Sequence, residues 1–147
     1  MENLLIESEK ILIDNKELYL YMQEISFAYF GMDTHYHISV HEGNNEPIAE
    51  CTFGVKKNEN CFLVRVDVYD DKYLSKGIGS KMLKCVENQV KKCDCKYIFG
   101  VFGPDNNKQG TKKFFEKNGY EVNPEAEDPF SSLIKNIEKE EIEEAEK

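Results

Sequence analysis

The chain has 147 residues, of which 40% are apolar and 32% are charged, and its net charge is −9. A chain of this length and composition can bury one core, so we predict a single globular domain over residues 1–147. The negative charge argues against nucleic acid as the main partner. No apolar stretch reaches the roughly 18 residues that a membrane helix needs, and the acidic start MENLLIESEK is unlike a signal peptide, so we expect a cytoplasmic protein without a membrane segment.

The residues before position 36 mix alternating and helical spacing, so their secondary structure stays open. Two strands are predicted over residues 36–43 and 47–55, and the Gly-Asn-Asn between them is typical of a hairpin. A further strand over residues 61–69 alternates valines on one side with Arg65 and Asp67 on the other. We expect it to continue an antiparallel sheet.

From Gly77 onward the apolar spacing becomes helical and predicts an amphipathic helix. A short apolar run over residues 96–103 predicts a buried strand, which completes a strand–helix–strand crossover. A second helix follows, with Phe114 and Phe115 inward and an end at Gly119. The segments YEV and FSSLIKNI are candidates for two more strands, and the acidic tail over residues 137–147 is predicted to be solvated. The apolar positions of the first helix are Ile78, Met82, Cys85, Val86 and Val90.

Cysteine and histidine, which often build chemical sites, show no such pattern here. The five cysteines are an odd number, and Cys93 and Cys95 form a C-x-C rather than a C-x-x-C pair, so we expect reduced thiols. The histidines lie elsewhere, in a strand-like stretch, at His35, His37 and His41. We therefore predict no metal site.

Gly77 and Gly79 stand where a loop meets the start of the first helix. A helix start carries unpaired N–H groups and the positive end of the helix dipole, and glycines allow an anion to approach closely. Lys76 and Ser80 can add a charge and a hydroxyl. This turn therefore predicts a phosphate-bearing ligand.

The charge distribution supports that prediction. Residues 65–117 hold twelve basic and seven acidic residues, a net +5, whereas the rest of the chain holds seven basic and 21 acidic residues, a net −14. Lys72 and Lys81 raise the potential around the glycine turn. A locally basic segment in an acidic protein favours a small polyanion over a nucleic acid.

Two nucleotide-binding motifs fail at these glycines. The dinucleotide fingerprint G-x-G-x-x-G needs a third glycine where Met82 stands, and the spacing of the P-loop is missing. Residues 74–79 instead resemble the [QR]-x-x-G-x-[GA] motif of the GNAT acetyltransferase superfamily. Residues 114–120 resemble its second motif, an aromatic pair followed by Glu-Lys-x-Gly-aromatic. The resemblance covers about residues 36–122.

The resemblance implies an α/β fold with a mixed, mostly antiparallel central sheet, whose middle strands splay apart and which is flanked by helices. It implies that acetyl-CoA, as co-substrate, lies between the strand before the first motif and the strand after the helix. The turn would hold the pyrophosphate, the preceding strand end would hold the pantetheine arm, and an asparagine-rich loop would lie near the cofactor. The implied cofactor contacts are Val68, Tyr69, Leu74, Ser75, Lys76, Gly77, Ile78, Gly79, Ser80, Asn106 and Asn107.

Two residues depart from the family pattern. Leu74 stands where the motif has glutamine or arginine, which removes a polar contact but leaves the backbone donors. Phe115 stands where many members place the tyrosine that reprotonates the leaving thiolate, and phenylalanine has no proton to give.

Acetyl transfer to an amine still requires a base, because an alkylamine is mostly protonated at pH 7. The candidate bases are Asp67 and Glu50, with His37 or His41 as lesser options. The candidate acids are Tyr69 and Tyr120. Cys51 or Cys95 as a nucleophile is less favoured, because neither has a paired histidine in the sequence pattern.

The resemblance therefore implies an enzyme that transfers acetyl from acetyl-CoA to a primary amine of a small molecule or peptide by direct attack. One alternative is a catalytically silent CoA-binding module that acts in regulation or protein interaction. Another is an interaction domain in which the glycines form only a turn. The acidic remainder of the chain favours a cationic acceptor, and edge strands allow a homodimer.

Overall fold

An eight-stranded sheet is the framework of the protein. The computed structural model describes residues 4–25, 31–43, 46–69, 71–73, 76–102 and 109–137. The strand order is β1-β2-β3-β4-β5-β6-β8-β7, and two α-helices join these strands. In chain order the elements are β1 (Leu4–Ile13), β2 (Lys16–Ile25), β3 (Thr34–His41), β4 (Pro47–Lys56), β5 (Asn60–Val68), α1 (Ile78–Lys92), β6 (Tyr97–Gly100), α2 (Gln109–Lys117), β7 (Glu121–Val122) and β8 (Leu133–Asn136).

The N-terminal segment, whose type the sequence pattern left open, forms the antiparallel hairpin β1–β2. Its turn consists of Asp14 and Asn15, which have φ of 50° and 68°. Two successive left-handed residues are the geometry of a type I′ turn, and aspartate and asparagine tolerate it better than other side chains. The Asp-Asn pair between two alternating runs is therefore the local sequence feature that indicates this hairpin.

The three strands predicted after this hairpin are confirmed as β3, β4 and β5, which pair antiparallel in chain order. The predicted strand–helix–strand crossover is also confirmed, because β5 and β6 pair in parallel with α1 between them. The two short candidates near the C-terminus form β7 and β8. The acidic tail beyond residue 137 lies outside the described residues.

The middle strands splay apart, as the resemblance implied. β6 pairs with β5 only as far as Leu63 and Gly100, whereas β5 stays paired with β4 up to the Ala49–Val68 pair. A register shift between Thr52 and Phe53 gives β5 an extra residue at the point where the splay begins. The second half of β5 is therefore open on the side toward β6 within the described part of the chain.

The core lies between the sheet and α1, which contacts β4 and β5. The predicted helical stripe is confirmed, since Ile78, Met82, Val86 and Val90 are all at most 1% exposed. Every second residue of β4 points into the same core, with Phe53 at its centre. Neither described helix has the length and apolarity to cross a membrane.

The second helix lies on the same face of the sheet as α1. Lys135 of β8 connects them, because its Nζ lies 2.8 Å from Glu87 Oε2 on α1 and 2.7 Å from the carbonyl oxygen of Asn118, just after α2. Phe115 is buried and packs edge-to-face on Phe102 and Tyr120, which confirms its inward orientation. The opposite face of the sheet carries no α-helix among the described residues; there Phe130, in the 3-10 helix Pro129–Ser131, packs on Phe62 and Phe99.

Asp94→Gly should stabilise the protein by about 0.5–1 kcal/mol. Asp94 directly follows Cys93, the C-cap residue of α1, and has φ of 57°. Replacement by glycine removes the cost of about 1–2 kcal/mol that a side chain in the left-handed region adds to the folded state. It also increases the conformational entropy of the unfolded chain, which costs about 0.5–1 kcal/mol of stability. Urea unfolding would measure the difference, with Asp94→Ala as the matched control. An Asp94→Gly midpoint at or below that of the natural sequence would contradict the assignment of strain.

Candidate functional site

The start of α1 has the geometry of an anion site. Gly77 is the N-cap residue with φ of 92°, a conformation that a side chain disfavours. No side chain of the described residues caps this helix start, and its first turn holds no acidic residue. The first backbone amides of α1 therefore point, with the positive end of the dipole, toward the loop.

Gly79 is required for a different reason. A Cβ at this position would lie 2.8 Å from Cζ of Phe114, so glycine allows α2 to pack against the first turn of α1. The neighbouring Ser80 hydroxyl accepts a hydrogen bond of 3.1 Å from Asn118 at the end of α2. The two motifs of the sequence analysis thus meet in space.

The lysines around the turn are paired with carboxylates. Lys76 Nζ lies 3.1 Å from Asp14 Oδ2 in the β1–β2 turn, and Lys81 contacts Glu9 on β1. Lys72 Nζ lies 3.7 Å from Glu42 Oε1. These pairs reduce the positive potential that the sequence pattern predicted around the turn. The helix end therefore contributes a larger share of the attraction for an anion than it would beside unpaired lysines.

The open edge of β5 offers backbone hydrogen bonds. The Tyr69 amide donates to the Ile48 carbonyl on β4 at 2.8 Å. Because the backbone groups of successive strand residues point to opposite sides, those of Val68 and Val66 point to the open edge. An extended ligand that carries amides, such as a pantetheine arm, can pair with them as a further strand would.

A network of polar side chains lies on the face opposite α1, beside this edge. Glu50 is at its centre, since its Oε2 lies 2.8 Å from His37 Nε2 and its Oε1 accepts a hydrogen bond of 2.7 Å from the Tyr69 hydroxyl. The other ring nitrogen of His37 lies 3.0 Å from Thr52 Oγ1. Partial burial would raise the pKa of Glu50, but the bonds from Tyr69 and His37 outweigh it and hold that pKa below its usual value.

Arg65 joins the second predicted carboxylate to this network. Its Nη2 lies 2.8 Å from Asp67 Oδ2, and it also contacts the Tyr69 hydroxyl. Desolvation and the hydrogen bond to Glu50 raise the pKa of Tyr69 to about 12. The structure thus brings Glu50, Asp67 and Tyr69 together, with Asp67 already paired to arginine.

Other candidates lie apart from the network. His41 bonds the Ser39 hydroxyl at 2.9 Å. Tyr120 is buried in the core, where burial and the nearby Glu87 raise its pKa well above the usual value. Burial likewise raises the pKa of the Cys51 thiol, and that of Cys95 to about 11, which disfavours thiolate chemistry.

Some predicted residues cannot be placed. Leu74, Ser75, Asn106 and Asn107 lie outside the described residues, so their contact with a cofactor stays a prediction. The described residues contain no group of three or more metal-ligating side chains close enough to share an ion. His37, Thr52 and Arg65 complete the network. Their strands were predicted as neighbours, but only the register shows that these three side chains lie side by side.

Solved structures share this fold at low sequence identity. An acetyltransferase of the GNAT family from Staphylococcus aureus Mu50 is 17% identical, with a TM-score of 0.57 over 71% of this chain and 68% of that chain. A GNAT family acetyltransferase from Elizabethkingia anophelis, solved with acetyl-CoA bound, is 16% identical, with a TM-score of 0.55 over 80% and 97%. A cAMP-binding acyltransferase from Mycobacterium smegmatis is 13% identical, with a TM-score of 0.62 over 91% of this chain and 48% of that chain.

The structural similarities show the fold, whereas the sequence shows the family. No curated protein matches the chain significantly. The sequence model of the Acetyltransferase (GNAT) family, however, matches residues 5–120, which is most of the chain. Acetyl-CoA is the co-substrate of that family, and the uncapped start of α1 and the open edge of β5 fit its phosphates and its arm. The chain therefore belongs to the GNAT family of acetyl-CoA-dependent N-acetyltransferases.

Proposed function

We propose that the protein transfers acetyl from acetyl-CoA to a primary amine of a small molecule or peptide by direct attack of the amine on the thioester. The observation that carries this proposal is the Glu50 carboxylate, which His37 and Tyr69 hold beside the open edge of β5. A base in that place can receive the proton of an amine that reaches the edge.

Backbone groups bind most of the co-substrate in this proposal. The amides of residues 74–80 hold the pyrophosphate, and Val68 and Tyr69 at the end of β5 flank the pantetheine arm. Asn106 and Asn107 add contacts from the loop before α2. Leu74 supplies no side-chain donor, so binding depends on the amides at the helix start.

The proton transfers balance within the network. As the amine nitrogen bonds to the carbonyl carbon and the carbon–sulfur bond breaks, Glu50 accepts a proton from the amine and Tyr69 donates one to the CoA thiolate. Glu50 then returns a proton to Tyr69 through their hydrogen bond. His37 keeps the carboxylate oriented throughout. Tyr69 is the preferred acid because Tyr120 lies in the core and Phe115 has no hydroxyl.

A cationic acceptor suits this site. Glu50 and Asp67 place two carboxylates on the face where the amine arrives, and the chain outside residues 65–117 has a net charge of −14. Such a field raises the rate of encounter with amines such as polyamines, lysine side chains or aminoglycoside-like compounds. Arg65 beside Asp67 limits the attraction at close range.

The silent CoA-binding alternative rests on Phe115. Its ring is 8% exposed and packs on Phe102 and Tyr120, so no proton donor stands at the position where the family often has tyrosine. Calorimetric titration with acetyl-CoA, followed by thiol detection with an amine panel, separates the two proposals. Binding without thiol release from any amine would favour the silent module, and no binding at millimolar acetyl-CoA would exclude both.

Tyr69→Phe should lower the rate of thiol release at least tenfold while leaving acetyl-CoA affinity within about twofold, because it removes a proton donor and keeps the backbone. Tyr19→Phe is the matched control, since Tyr19 lies on the same face of the sheet but on β2, three strands away from the β5 end that carries Tyr69. Equal turnover by the two variants would remove Tyr69 from the mechanism.

A further inference from the structure

We propose that the protein forms a two-fold symmetric homodimer through β1, whose outer edge pairs antiparallel with β1 of a second copy. The partner is therefore the same chain, and the surface is a strand edge. This proposal is independent of acetyl transfer, because it concerns association and not the site beside β5.

The outer edge of β1 carries backbone groups that no described strand pairs. In a two-residue hairpin the residues that flank the turn, here Ile13 and Lys16, exchange hydrogen bonds. The direction of the backbone groups alternates from there, so those of Leu12, Lys10 and Ser8 point outward. β1 thus presents a hydrogen-bonding ladder along a strand of ten residues.

Proteins that keep such an edge unpaired usually shorten it or interrupt it with proline. β1 has neither feature, although it carries two other devices that protect an edge, charged residues at its centre and a bulge between Leu5 and Glu7. Toward its ends it exposes three of the six large apolar side chains that are exposed in the described part of the chain: Leu5, Ile6 and Leu12. A strand edge of ten residues with exposed apolar side chains near both of its ends is better explained by a covered edge than by a free one.

Leu5 and Leu12 also lie on the same face of the sheet. Their register partners on β2, Gln23 and Glu17, alternate with residues that point into the core, so both leucines point to the face opposite the helices. They are 52% and 65% exposed. Burial of both would remove apolar surface from water at each end of the strand.

One register of two copies matches these leucines to each other. The bulge between Leu5 and Glu7 takes one residue out of the ladder. If the two-fold axis of the dimer passes through Glu9, equal numbers of ladder positions separate it from Leu5 and from Leu12. Leu5 then faces Leu12 of the second copy, and Leu12 faces Leu5. The two Glu9 side chains meet at the axis, where each already contacts its own Lys81.

Shifted registers are worse. An axis at Ser8 sets Glu7 opposite Glu9 and Leu5 opposite Lys10 of the second copy. An axis at Lys10 sets that lysine opposite its equivalent and leaves Leu5 beyond the end of the facing strand. Like charges directly across a ladder destabilise it, and each of the three registers contains such a pair. The register at Glu9 is favoured because each of its two carboxylates contacts a lysine of its own copy and because it alone sets Leu5 opposite Leu12.

Ser8→Pro tests the edge. Proline removes an amide that points outward and keeps every hydrogen bond to β2, so the monomer can fold. Light scattering after size exclusion should give twice 17.1 kDa for the natural sequence and for Ser8→Ala, and 17.1 kDa for Ser8→Pro. A natural sequence that is monomeric at 100 µM, or a folded Ser8→Pro that stays dimeric, would overturn the proposal. If circular dichroism shows Ser8→Pro unfolded, Leu12→Lys replaces it with the same expected mass.

Crosslinking tests the register. All five natural cysteines are buried, so Leu5→Cys and Leu12→Cys introduce the reactive thiols. A short bis-maleimide should join the two variants when they are mixed and neither variant alone, because two copies of residue 12 lie six ladder positions apart, roughly 20 Å. Crosslinking of Leu12→Cys to itself at an equal yield would exclude the register at Glu9.

Discussion

Gly77→Asp should lower the affinity for acetyl-CoA by about 100-fold. The substitution places a carboxylate at the start of α1, where the phosphates are proposed to bind, and at a φ of 92° that favours glycine. Repulsion between charges about 4 Å apart costs from about 1 to 4 kcal/mol at such a partly exposed site, and a 100-fold loss corresponds to about 2.7 kcal/mol. Calorimetric titration measures the change.

Gly77→Ala is the matched control for backbone strain. A Cβ at residue 77 meets no atom within 4 Å, so alanine adds the conformational cost without a charge or a clash. It should bind within about tenfold of the natural sequence. Gly79 is unsuitable for this test, because its substitution would displace Phe114. If aspartate and alanine weaken binding equally, the turn does not bind phosphate through its amides.

Glu50→Gln should lower kcat/KM by about 100-fold or more with little change in acetyl-CoA affinity. The amide keeps the size of the side chain but cannot accept the proton of the amine, and general bases contribute about 10² to 10⁴ in rate. Glu59→Gln, an exposed carboxylate at the other end of β5, is the matched control and should leave the rate unchanged.

The pH profile distinguishes a base from a binding carboxylate. The pKa of Glu50 is held below its usual value of 4.5, so the carboxylate is ionised above that lowered pKa and the rate that depends on it falls only as the pH drops through it. Activity on the acid side, corrected for the ionisation of the amine, should therefore persist below pH 4.5. A loss of activity centred well above that value would assign the base to another group.

The geometry of the glycine turn was predictable because its determinants are local. Gly77, Gly79 and the apolar spacing of α1 lie within a few turns of helix, and the second motif supplies Phe114 as the ring that requires the second glycine. The Asp14–Asn15 turn was equally local, yet alternation and helical spacing overlapped in its flanking residues and concealed the hairpin.

The sequence alone determined the order of strands from β3 to β6, the helix after Gly77 and the family, because spacing and turn residues act on near neighbours. Only the tertiary structure decided which polar side chains form the proposed site. His37, Glu50 and Tyr69 are far apart in the chain, and their contact depends on the register of three strands. That register is set by burying the alternate residues against α1, and a shift by one residue would turn every member of the network into the core.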